Sequence, residues 1–259
     1  MRSLYKQIGP NIAIQQGVII NGCIADKCKE NVAGIIITPR CDIGNGGKVS
    51  TIHYLPIITI NDWLKQYILP DALSAEKEKL VKLLTEHKIS SHILDIIKEN
   101  DISQLMLRDQ NLQNKIASYV QARDGLNYGD SIKNYIKTQF GLLIANNHSR
   151  YYLIEDWDKQ SVNKHYIIIL REIKRMTLDF VTMYTNGFQS KLLNENLEKE
   201  NDVAIVPYSF NYHTLCEVES PYIEHILQQF SYNFCRIGVE ELDRNKVKES
   251  YDIEKIINQ

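Results

Sequence analysis

Between residues 12 and 60 the apolar residues come in short β-branched runs. These are Ile12, Ala13 and Ile14, then Val18, Ile19 and Ile20, then a block from 32 to 38, and a longer one from 49 to 60. Runs of this length and composition predict strands. Between the last two lies Gly44, Asn45, Gly46 and Gly47. Glycine and asparagine tolerate the positive φ of a tight turn, so this cluster predicts a hairpin within an antiparallel β unit. Ile35, Ile36 and Ile37 are continuous rather than alternating, which predicts a strand covered on both faces.

The period changes at Asn61. Asn61 and Asp62 are candidate caps for a helix carrying Trp63, Leu64, Tyr67 and Ile68 at helical spacing, with Pro70 as its stop. Leu80, Val81 and Leu84 form one apolar stripe, and Ile102, Leu105, Met106, Leu112, Ile116, Tyr119 and Val120 a longer one. Glycine and proline are scarce as far as about residue 145, so this stretch reads as a compact helical insertion rather than a linker. Strand character returns at 151–154, 166–170, 180–184, 203–206 and 213–218. Ser220 as N-cap, Pro221 at the first position and Gly238 at the C-cap then delimit an amphipathic helix. Its apolar face, Tyr222, Ile223, Ile226, Leu227, Phe230 and Phe234, is expected to cover the chain's own sheet.

These patterns predict an α+β protein. Residues 1–60 and 150–238 form one discontinuous antiparallel β domain, a sheet or small barrel; 61–149 are the helical insertion and 239–259 a charged tail. One shared sheet is preferred to two modules because a few short N-terminal strands are too small to bury Ile35, Ile36 and Ile37 alone.

Composition narrows the function classes. The 259 residues carry a formal net charge of -2, so no global basic field attracts nucleic acid, and 44% hydrophobic content argues against wholesale disorder. The N-terminus lacks a signal-peptide pattern, and the most apolar stretches are strand-length, so the chain is expected neither to be exported nor to span a membrane. Five scattered cysteines suit reduced thiols and a cytoplasmic location.

Candidate chemistry begins at Thr38, Pro39, Arg40, Cys41 and Asp42, where a thiol stands between a cation and a carboxylate at a strand end. The cation favours a thiolate and the carboxylate opposes it. The plainer reading makes Cys41 a small buried residue with Arg40 paired to Asp42. Cys23, Cys28, Cys41 and His53 are ligand types for zinc, but they lack the paired spacing of a zinc knuckle, so no metal site is expected. His53, His148, His165, His213 and His225 are all conceivable bases for Cys41. No P-loop, G-x-G-x-x-G, H-E-x-x-H or G-x-S-x-G motif occurs, and no cofactor is expected. Lys164, Arg171, Lys174 and Arg175, with Tyr151, Tyr152 and Tyr166 near them in sequence, are candidates for holding phosphate and stacking bases. Glu224, His225, Gln228 and Arg236 on the last helix are candidates for contacting a protein partner.

The segment from Gly34 to Ile43, with Lys48 and Val49 after it, resembles the start of an uncharacterised bacterial protein family, and the segment from Ser220 to Phe230, with Cys235 to Gly238, resembles its end. The resemblance implies membership of a bacterial defence locus. The early β segment more loosely resembles the SH3-like barrel of PemK and MazF toxins. That likeness implies an endoribonuclease, with the RNA-cleaving arginine at Arg40 and the hydroxyl residue at Ser50 or Thr51. Where those toxins carry an Arg-Gly-Asp-like turn this chain has Gln16, Gly17 and Val18. The leading expectation is a non-catalytic interaction or regulatory component of a defence or stress system, with a protein partner from the same locus and an exposed apolar patch. The alternatives are a PemK-like ribonuclease or nucleic-acid-binding protein using Arg40 and His53, and a thiol-dependent enzyme using Cys41.

Overall fold

A computed structural model describes residues 5–7, 14–44, 49–98, 101–102, 109–155, 157, 165–178, 181 and 214–235. Its strands are β1 (Tyr5–Gln7), β2 (Val18–Cys23), β3 (Val32–Ile36), β4 (Thr51–Thr59), β5 (Tyr151–Glu155), β6 (His165–Ile169), β7 (Lys174–Thr177) and β8 (Thr214–Val218). They form one antiparallel sheet in the order β1-β8-β2-β3-β4-β6-β5, with β7 also on β4, curled into a half-barrel. β8, from the C-terminal segment, lies between β1 and β2, so the two β segments share a single sheet as expected.

β4 is the spine. On one side it pairs with β3 through Ile35↔Leu55 and Ile36↔Tyr54. On the other side Thr51 to Tyr54 pair with β7, whereas Ile57 to Thr59 pair with β6. Pro56 stands at this change of partner. It has no N–H to give a ladder, so the switch falls where a continuous ladder is already broken.

Both sheet faces are covered. Ile19, Ile35, Leu55, Ile57, Ile168 and Val218 form a core on the first face, closed by Ile223 and Ile226 of a helix (Tyr222–Cys235). On the second face Val18, Ile36, Ile52 and Tyr54 pack with Met176, while Ile58, Ile167 and Tyr151 meet Trp63, Ile68 and Leu143 of the insertion. Ile35 and Ile36 are fully buried on opposite faces, the arrangement their continuous apolar run predicts.

The helices are α1 (Arg40–Gly44), α2 (Ile60–Asp62), α3 (Leu69–Glu86), α4 (Ile93–Ile96), α5 (Gln110–Arg123), α6 (Asp130–Ile144) and α7, the helix over the first face. Sequence expectations around these helices need correction. β3 and β4 do pair antiparallel as expected, but Gly44 ends α1 instead of opening a tight turn between them, and residues 45–48 lie outside the described residues. Thr59, not Asn61 or Asp62, caps α2, its hydroxyl accepting the Asp62 N–H at 3.1 Å. Pro70 does not stop the helix: Trp63–Ile68 form a π-helical turn that runs straight into α3. In an α-helix the Pro70 ring would crowd the Gln66 carbonyl. The wider π turn, in which the Leu69 N–H donates to the Leu64 carbonyl, relieves that clash.

The long helical stripe is divided at Asp109, whose carboxylate accepts the Asn111 and Leu112 N–H groups and so starts α5. Leu80, Leu84, Ile116 and Val120 then form a core inside the insertion. Of the strand expected at 180–184, only Val181 is described, and it is helical; the strand expected at 203–206, the helix end at Gly238 and the tail lie outside the described residues. Among the described residues no helix is long and apolar enough to cross a membrane.

Gly34 shows how tightly β3 and β4 meet: a methyl there would lie 2.6 Å from Cys23 Sγ and 2.7 Å from Tyr54 Cδ2. Gly34→Ala is expected to cost about 1–3 kcal/mol in urea denaturation. Gly141→Ala, in α6 with nothing within 4 Å of the added carbon, is expected to gain about 0.5–1 kcal/mol.

Candidate functional site

At one end of the curled sheet, where β3 begins and β4 ends, a cleft of about 600 Å³ opens between the β2–β3 connection, α2 and the start of β6. This size lies within the range of about 300–1,000 Å³ usual for small-ligand sites. Its walls carry Asn21, Lys29, Asn31, Thr59, Asp62 and Gln66. Glu30 also lines it, as do Trp157 and Tyr166, whose rings are stacked with centroids 4.3 Å apart and planes 20° from parallel. The Asn31 side-chain amide nitrogen is buried without a hydrogen-bond partner. An unmet donor of this kind costs about 1–3 kcal/mol unless something in the cleft accepts from it.

The β2–β3 connection is held by a buried carboxylate. Glu172, in the turn between β6 and β7, accepts the Asp26 N–H and, at 3.2 Å, the Tyr67 hydroxyl of the π turn. Lys174 bonds the Asp26 carboxylate and lies 3.7 Å from Glu172, so three elements meet on one charged knot. Burial raises the Glu172 pKa against the opposing pull of the Asp26 N–H and Lys174. Burial, reinforced by the Asp62 and Glu172 carboxylates, pushes the Cys28 thiol up to about 11, and burial alone pushes Cys23 still higher. Both thiols are therefore protonated at neutral pH and poor nucleophiles.

The residues singled out from sequence are dispersed. Cys41 is exposed on α1, not buried, and its thiol donates to Asp42 Oδ1 at 3.5 Å. Arg40 pairs not with Asp42 but with the buried Glu217, at 2.8 Å. His53 is exposed; its N–H donates to the Thr38 hydroxyl at 2.7 Å. Pleat alternation turns His53 away from Ile52 and Tyr54, whereas Glu217 lies opposite Val18, on the Ile52 and Tyr54 face. The sheet thus separates His53 from the Arg40 ion pair. Cys23, Cys28, Cys41 and His53 do not converge: among the described residues no group of three or more potential ligands could hold a metal ion.

Of the basic candidates, Lys164 lies outside the described residues, Lys174 belongs to the Glu172 knot, and Arg175 is exposed on β7 opposite His53. The Arg171 Nε donates to Asn233 at 3.1 Å beside a smaller hollow lined by Asn146 and His148. Tyr151 and Tyr152 are buried and offer no stacking face; Tyr166 lies in the cleft. On α7, Glu224 and Gln228 are exposed, the half-buried His225 shares a 2.8 Å hydrogen bond with the Tyr152 hydroxyl, and Arg236 lies outside the described residues.

Sequence reasoning missed Asn31, Trp157, Tyr67 and Glu172. Only Glu172 left a trace, as a carboxylate two residues after the apolar run that ends at Leu170. No protein-family model, curated protein or solved structure matches the chain.

The raised Glu172 pKa makes stability depend on pH. Between the ordinary Glu value and its raised folded value the native state holds the extra proton, so stability falls as pH rises through that window. Glu172→Gln mimics the protonated acid. In urea melts across pH, the wild type is expected to lose ground to this variant as pH rises; a difference that stays flat or grows in the wild type's favour contradicts the assignment.

Proposed function

We propose that this protein is a non-catalytic interaction or regulatory component of a bacterial defence or stress-response system, whose curled sheet is a scaffold and whose helical insertion engages a protein partner. The observation that carries this reading is a stripe on α6. At 100° per residue, Lys133, Lys137, Phe140, Gly141 and Ile144 fall on one side of the helix, and all are exposed. Ile144 is 57% exposed; Phe140 rests one edge near Trp63, with ring centroids 6.4 Å apart, and leaves the other in solvent. An apolar end flanked by two lysines suits a partner segment with apolar anchors beside acidic residues.

Within this reading the sheet is a small SH3-like barrel, supported by the way β4 gives its two halves to different partners. Cytoplasmic location accords with the reduced cysteines expected from their scatter. The separation of His53 from the Arg40 ion pair by the sheet gives the ribonuclease reading less support than the partner reading.

The test is a photo-cross-linking side chain at position 144 in the native host, with RNA cleavage assayed in parallel. One protein trapped stoichiometrically, with affinity reduced at least about 10-fold by Phe140→Asp, is expected for an anchor of this kind. No trapped protein, together with RNA cleavage that Arg40→Ala abolishes, would replace the proposal with a nuclease.

A further inference from the structure

We infer that the cleft at the end of the sheet binds a nucleobase, carried by a free nucleotide or by the end of a single strand. The cleft is separate from the α6 stripe, and the inference does not rest on the partner proposal. Three independent features point the same way. Trp157 and Tyr166 are already stacked and each is only half-buried, so a third planar ring can extend the stack. The buried Asn31 amide nitrogen needs an acceptor, and every nucleobase presents ring nitrogens or carbonyls on its edge. On the rim, Gln66 offers a donor and an acceptor, and the exposed Lys29 a cation for a phosphate.

The geometry of the walls fits a ligand site better than a gap left by packing. The β2–β3 connection that carries Lys29 and Asn31 is fixed through Asp26 to Glu172 and Lys174. The opposite side stands on the capped start of α2, where Thr59 and Asp62 bond each other. Both sides are therefore set before a ligand arrives, which lowers the ordering cost of binding.

The chain has two tryptophans, and the other, Trp63, is fully buried, so quenching by an added nucleotide reports on Trp157. Purified full-length protein would be titrated with AMP, GMP, CMP and UMP, and separately with a short oligoadenylate and oligouridylate. Saturable quenching by at least one mononucleotide or oligonucleotide is expected, and comparison of the two arms shows which source supplies the base. Trp157→Ala, read by saturation-transfer NMR, should weaken binding about 5- to 100-fold. Asn31→Asp, which keeps the size but replaces the donor by a carboxylate, should weaken it about 10-fold or more. Circular dichroism establishes that both variants fold. Absence of saturable binding up to millimolar concentrations, or binding that neither substitution changes, overturns the inference.

Discussion

Everything in this fold depends on β4 being buried on both faces while it serves three other strands. A strand in that position cannot stay flat or straight. Its first half holds β7, its second half holds β6, and Pro56 lies at the handover, opposite Gly34. Leu55 and Ile57 feed one core and Ile52, Tyr54 and Ile58 the other. At roughly 1.5–3 kcal/mol for each fully buried aliphatic side chain, these residues tie the N-terminal strands, the C-terminal strands and the insertion to one another.

The cleft is a consequence of that arrangement. The end of β4 leads into α2, the π turn supplies Tyr67, and the turn after β6 supplies Glu172, so the elements β4 organises meet around the loop that forms the cleft wall. A buried carboxylate is costly unless its oxygens are satisfied, and here Asp26, Tyr67 and Lys174 do so. The same burial keeps Cys28 protonated. Stability and the proposed ligand cleft thus share one corner of the molecule, while the proposed partner surface lies on the insertion.

How much of this was legible in the sequence follows from the range of the forces involved. Ile35, Ile36 and Ile37 announced a strand covered on both sides because burial of consecutive residues leaves a local pattern. The apolar face of the last helix was legible for the same reason, and Ile223 and Ile226 do pack on the sheet. Pro70 misled because its usual effect presumes α geometry, and a preceding π turn removes the clash. Gly44 misled because glycine ends a short helix as readily as it opens a hairpin. The candidate site was scarcely legible at all. Glu172 and Asp26 are 146 residues apart, and nothing in either neighbourhood signals the other. Arg40 found Glu217, 177 residues away, rather than its neighbour Asp42.

Native-state hydrogen exchange in increasing denaturant tests the shared sheet most directly. With β8 seated between β1 and β2, and β4 bonded to β3, β6 and β7, the slowest amides of β2, β3, β4, β6 and β8 should converge on one global opening free energy. Separate openings, with β2 and β3 exchanging at one free energy and β5 and β6 at another, would contradict the account and mark two independent β modules.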